Sequence, residues 1–215
     1  MAGGGYILYG AQGSGSAAVE VALCWCGLPF RVVEAATWEP GSALDELRGV
    51  NPLCQIPTLV LPDGTVLTES AAILIHLGLA HPRSGLLPEE ASARARVVRG
   101  LVYVAANCYA AVGISDYPER WLQQPDEAAV ENLRKGTRQR LAALWNVFAD
   151  SFEAAPWLGG AEPDALDLHA ATISKWSGAR AHLKKARPAF HALMLKVEAH
   201  PKVAPVFERH WPSQP

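Results

Sequence analysis

The order of elements along this chain predicts a small α/β domain followed by an all-α domain. Two observations carry the first half: a strand, helix and strand joined by short connections, and a hairpin signal at 62–65. A third carries the second half, since no convincing strand follows residue 88. With 215 residues, 50% of them apolar and 19% charged, the chain is long and apolar enough for one large core or two smaller ones.

Tyr6–Tyr9 is an apolar run rich in aromatic and β-branched residues, stopped by the Gly/Ser loop 10–16, and reads as a buried strand. Ala17–Cys26 then carries good helix formers and ends at Gly27 with Pro29 beyond, the usual stop signals. Phe30–Ala35 is the second strand, and a crossover this short favours parallel pairing. Ala43–Arg48 forms a short helix broken by Asn51-Pro52. Thr58–Leu61 and Val66–Thr68 flank Pro62-Asp63-Gly64-Thr65, whose turn chemistry predicts an antiparallel hairpin. Ser70–Ala80 is a strongly apolar helix, and residues 82–88 shift to Pro, Arg, Ser and Gly as a linker. Domain one is thus expected over 1–81, with the order βαβ-α-ββα, and an all-helical bundle over 89–215. Helical periodicity marks Glu89–Ile114, Asp126–Ser151, Ala165–Gly178 and Pro188–His200.

A formal net charge of −2 and the lack of a basic run give no field that would collect nucleic acid or an anionic membrane. Met1–Gly5 lacks the pattern of a signal peptide, and no segment reads as a span of about 20 uninterrupted apolar residues; a cytoplasmic protein is expected. The cysteines Cys24, Cys26, Cys54 and Cys108 form neither a CxxC pair nor a metal-ligand spacing. No metal is expected, and the thiols read as buried packing.

The most informative stretch is Val50–Val60, in which Pro57 directly precedes a β-branched run. Proline cannot donate to a sheet ladder, which places it at a strand's first residue or an edge. The bond before it is compatible with an ordinary trans entry, or with a cis form that aims the backbone of Ile56 at a ligand. Asn51-Pro52-Leu53-Cys54-Gln55-Ile56-Pro57-Thr58-Leu59, the hairpin, and Glu69-Ser70-Ala71-Ala72-Ile73 resemble the NP-x-x-QIP-x-L and ES-x-A-I elements of the glutathione transferase family. Trp157-Leu158-Gly159-Gly160 and Pro163-Asp164-Ala165-Leu166-Asp167 are similar to the family's loop and capping box at the start of a central helix.

The resemblance implies a thioredoxin-like first domain that binds glutathione as co-substrate. Main-chain groups of Ile56, before Pro57, would pair with the cysteinyl backbone of glutathione, with Gln55 as a further contact. Ser70 would offer its hydroxyl and N–H to the γ-glutamyl carboxylate, and Glu69 would accept from the ammonium. For the sulfur, the resemblance points to the loop after the first strand, where Ser14, Ser16 and Tyr9 are the alternatives for stabilising a thiolate. Cysteine-type members carry their nucleophile where this chain has Gly15, so the loop is serine-type and mixed-disulfide chemistry is demoted. Tyr103, Asn107, Tyr109 and Trp176 are candidates to wall an apolar second-substrate pocket. Asp164 and Asp167 read as a helix cap.

The implied activity is transfer of an alkyl or aryl group to the glutathione thiolate from an apolar electrophile, in detoxification, by a homodimer. The alternatives are glutathione-dependent isomerase, lyase or dehalogenase chemistry, or a binding or scaffold module without turnover.

Overall fold

The computed structural model describes residues 4–39, 41–154 and 156–212. Four strands form one mixed sheet in the order β2-β1-β3-β4: β1 (Tyr6–Gly10), β2 (Phe30–Glu34), β3 (Thr58–Val60) and β4 (Val66–Leu67). β1 and β2 pair in parallel, from Tyr6 with Phe30 to Gly10 with Glu34. β1 and β3 run antiparallel with Tyr9 opposite Thr58, and β3 and β4 close the hairpin. The connecting helices are α1 (Ser16–Trp25), α2 (Leu44–Val50) and α3 (Ser70–Ala80). The strand and turn signals predicted this α/β order, and its thioredoxin-like arrangement is the one the resemblance implied.

The alternation of β1 divides the packing. Leu8 points into the main core with Val19, Leu23, Leu74 and Leu77, whereas Tyr9 points to the other face with Val33, Ala35 and Leu47 beneath α2. The main core runs without interruption from α1 and α3 into the helical part, where Leu101, Trp145, Phe148, Leu166, Leu168 and Ile173 continue it. The two parts therefore share one buried apolar body, which fixes their relative placement.

The helical part comprises α4 (Ala91–Tyr103), a π-helical turn (Val104–Tyr109), α5 (Ala110–Asp116), α6 (Glu127–Ser151), α7 (Ala165–Ile173), α8 (Ala179–Ala186), α9 (Pro188–Glu198) and α10 (Ala204–His210). α8 and α10 were not anticipated from the sequence; α10 has only seven residues, too few for a clear period. By length and mean composition the continuous stretch Ala91–Asp116 is enough to cross a membrane, although it is not an uninterrupted apolar run, since Arg94, Arg96 and Arg99 lie within it. Here α4 packs on α7 and α5 on α6. Cysteine packing also needs correction. Cys108 is buried, but Cys26 and Cys54 are half-buried and Cys24 is exposed on the polar side of α1.

α7 starts with a capping box. Asp164 Oδ1 accepts from the Leu166 amide at 2.8 Å, while Asp167 accepts from the amides of Asp164 (3.1 Å), Leu158 (3.0 Å) and Gly159 (3.3 Å). One carboxylate thereby ties the 157–160 loop to the helix start. Burial and the adjacent Asp167 charge push the Asp164 carboxyl up to about 8, and burial raises Asp167 as well, against the hydrogen bonds that lower it.

Candidate active site

Three chain segments meet at one end of the sheet. Continuing the β1–β3 register by two residues brings Ile56 beside the start of the Gly10–Ser16 loop. The Ile56-Pro57 bond is cis, and neither the amide nor the carbonyl of Ile56 has a backbone partner among the described residues. An extended peptide could add there as one more strand. The segment is locked from behind. Asn51 Nδ2 donates to the Gln55 carbonyl (3.0 Å) and to Thr58 Oγ1 (2.9 Å), and Thr58 Oγ1 donates to the same carbonyl at 2.8 Å. Gln55 itself is exposed.

The second segment is the entry to α3. Glu69 adopts φ 64°, ψ 108°, a left-handed conformation unusual for a non-glycine residue, and is solvent-exposed. Ser70 is buried, and its Oγ lies 3.0 Å from Nε2 of His169 on α7, which is itself fully buried. Burial lowers the His169 imidazole to about 3, so it is neutral, and Nδ1 has no partner among the described residues. Pairing assigns the tautomer: a proton on Nδ1 would leave a buried N–H donor unpaired, whereas a proton on Nε2 leaves only a lone pair. His169 then donates to Ser70 Oγ, and the Ser70 hydroxyl proton is left for an acceptor beyond α3.

The third segment is the loop into α1. Ser14 Oγ and Ser16 Oγ lie 2.7 Å apart, both buried. The Ala11 amide donates to both hydroxyls (3.3 Å each), the Ser16 amide donates to Ser14 Oγ at 3.2 Å, and Ser16 Oγ donates to the Ala11 carbonyl at 3.3 Å. A Cβ on Gly10 would stand 2.5 Å from Ser16 Oγ, so glycine is needed for the serine to fold inward. Both serines thus close the loop upon itself. Tyr9 points to the face beneath α2 and donates to Glu46 at 2.8 Å; burial, then this hydrogen bond, raises its phenol. The structure brings Ser14 and Ser16 to the α1 end and places Tyr9 elsewhere.

Behind the loop stands α10, missed in the sequence. The Gly13 amide donates to His210 Nδ1 (3.1 Å), Gln12 Nε2 donates to the Arg209 carbonyl (2.8 Å), and Glu20 pairs with His210 Nε2 (2.8 Å) and with Arg209. Burial pushes the Glu20 carboxyl up, but its hydrogen bonds to His210 and Arg209 outweigh this and hold it below the usual range.

The aromatic candidates separate. Tyr103 faces α6, donating to the Leu144 carbonyl at 3.0 Å and packing on Phe148 and Phe152. Asn107 Nδ2 donates to the Tyr103 carbonyl (3.1 Å) within the π turn and borders an open groove of about 610 Å³ between α5 and α6. Trp176 instead stacks on Tyr109, ring centroids 5.9 Å apart and 6° from parallel, on the side facing α1. Tyr103, Asn107 and Trp176 therefore do not form one wall; a widened π turn rotates the residues after it relative to those before. Among the described residues, no group of three or more His, Cys, Asp and Glu side chains is placed to hold a metal ion.

A thioredoxin-like domain with an open backbone edge before a cis proline, fused to a helical domain, defines the glutathione S-transferase class of fold. The sequence pattern of the glutathione S-transferase N-terminal domain matches residues 16–79. The uncharacterized GST-like protein YncG of Escherichia coli strain K12 is 32% identical over 171 residues, 79% of this chain and 80% of that protein. A glutathione transferase homolog from Sulfitobacter, solved with bound glutathione, superposes with a TM-score of 0.80 over 94% of this chain and 96% of its own at 24% identity. A glutathione S-transferase from Methylobacterium radiotolerans, in complex with glutathione sulfonate, gives 0.71 over 94% of each chain at 27% identity. The chain belongs to the glutathione S-transferase family.

Proposed function

We propose that this protein binds glutathione across the three segments and activates its thiol for attack on an apolar electrophile, giving a thioether. The observation that carries the reading is the unpaired backbone of Ile56, held by Asn51 and Thr58 beside the helix starts at Ser16 and Ser70. In this reading the cysteinyl backbone pairs with Ile56 and Gln55 flanks it. The γ-glutamyl carboxylate takes the Ser70 hydroxyl, oriented by His169, and the free amides of α3, while Glu69 faces the ammonium. The sulfur falls at the start of α1, where Ser14 and Ser16 shape the loop. The relatives solved with glutathione or its sulfonate support this placement. Pairing of two copies belongs to the same reading, with Leu79, Val102 and Val147 as exposed apolar side chains on α3, α4 and α6.

Incubating the protein with glutathione and a panel of aryl halides, epoxides and enones, with mass detection of thioethers, tests the reading. Glutathione-dependent conjugation above the uncatalysed rate is expected; binding without product from any member contradicts the transferase assignment. A binding module without turnover is the second reading, favoured by the internal pairing of the Ser14 and Ser16 hydroxyls.

A further inference from the structure

Gly15 precedes α1 with φ −62° and ψ −12°, a conformation open to every residue, so glycine is not required there by its backbone. It is required by its neighbour: a Cβ on Gly15 would overlap the hydroxyl oxygen of Tyr109, with the ring carbon Cζ 3.1 Å away. The helical domain has thus placed a phenol where the loop's own side chain would stand. That phenol is the last residue of the π turn, its ring is clamped flat on Trp176, and Trp176 meets Trp211 edge-on at 6.2 Å. The hydroxyl has no hydrogen-bond partner among the described residues, and nor does the Gly15 amide beside it. Burial, followed by the nearby charge of Glu69, pushes the phenol up to about 12; it keeps its proton across the neutral range and faces the same site as Glu69.

We propose that the Tyr109 hydroxyl is the side-chain donor to the glutathione sulfur, reaching it across Gly15 from the second domain in place of a hydroxyl of the first loop. This assignment rests on the glutathione reading above. The S–H proton passes to solvent water, the sulfur keeps the electron pair, and Tyr109 retains its own proton in an O–H···S⁻ hydrogen bond. The Gly15 amide and the start of α1 add a second donor and a favourable dipole. Ser14 and Ser16 are then free to serve the loop, and the glycine at 15 and the phenol at 109 form one arrangement.

The test follows the thiolate absorbance of glutathione bound to the intact protein as pH is raised, for the native chain, Tyr109→Phe and Gly15→Ala. Phenylalanine keeps the stack on Trp176, and Gly15→Ala moves the hydroxyl without removing it, so the two variants probe one contact from opposite sides. Both are expected to bind glutathione within about threefold of the native Kd while the bound thiolate at neutral pH, and kcat, fall by roughly tenfold. Bound glutathione with an unchanged thiolate fraction in Tyr109→Phe overturns the Tyr109 assignment and leaves the glutathione site standing. A native chain that binds no glutathione overturns both.

Discussion

Ser70 Oγ at the start of α3 and His169 Nε2 on α7 lie 3.0 Å apart, both buried, and this pair joins the α/β domain to the centre of the helical one. A neutral His169 fixes the direction of the Ser70 hydroxyl, so its contribution is to ligand affinity as much as to packing. His169→Leu is expected to weaken glutathione binding about five- to tenfold, one hydrogen bond's worth, whereas His169→Gln, which retains an N–H donor, should stay nearer the native value. Calorimetric titration of both variants checks this; equal losses would mean that His169 acts through packing alone.

The same histidine sets an acid sensitivity. Its folded value, about 3, lies below the ordinary 6.5, so the unfolded chain binds more protons between those limits and stability rises with pH there. On acidification from 6.5 towards 3 this group removes stability at up to about 1.4 kcal/mol per pH unit. His169→Gln should therefore lose less stability between pH 6 and pH 4 than the native chain in denaturant unfolding. Parallel curves would contradict the buried neutral state.

Asp167 should be a folding residue. Its carboxylate accepts three backbone amides from two segments, and Asp167→Ala leaves those buried donors unpaired, at a cost of about 3 kcal/mol or more. Denaturant midpoints measure the loss, and kcat of the remaining folded fraction should be within twofold of native. A selective fall in kcat at unchanged stability would place Asp167 in the chemistry instead.

α10 should govern the loop ahead of α1. Glu20→Gln weakens the pairs with His210 and Arg209 that hold Gly13 and Gln12 in place, and is expected to lower kcat by several-fold through looser placement of Gly15. The Glu20 carboxyl is held below its ordinary value, so its stabilisation is present above the unfolded pKa and lost as pH falls through the folded one. That acid-side loss should be absent in Glu20→Gln.

What the sequence made legible was local. The strand alternation of Tyr6–Tyr9, the Pro62–Thr65 turn, the Gln55-Ile56-Pro57 segment, the Glu69-Ser70 helix entry and the Asp164/Asp167 cap each express their physics within a few residues, and each element stands where it was expected. What escaped was carried by contacts far apart in the chain: Tyr109 on Gly15, His169 on Ser70, His210 on Gly13. Two signals were available. A glycine at a helix start whose φ and ψ suit any residue asks what fills its place, and a histidine among the leucines and alanines of α7 asks for a polar partner. The π turn left no periodicity signal, and without it Tyr103, Asn107 and Tyr109 were expected on one continuous helix as candidates for a single pocket.

The most direct measurement is a calorimetric titration of glutathione into the native protein and into Ser70→Ala. Saturable binding to the native chain, weakened by roughly tenfold or more in the variant, is the predicted result. Absence of binding at millimolar glutathione, or equal affinity in both proteins, would contradict the site described.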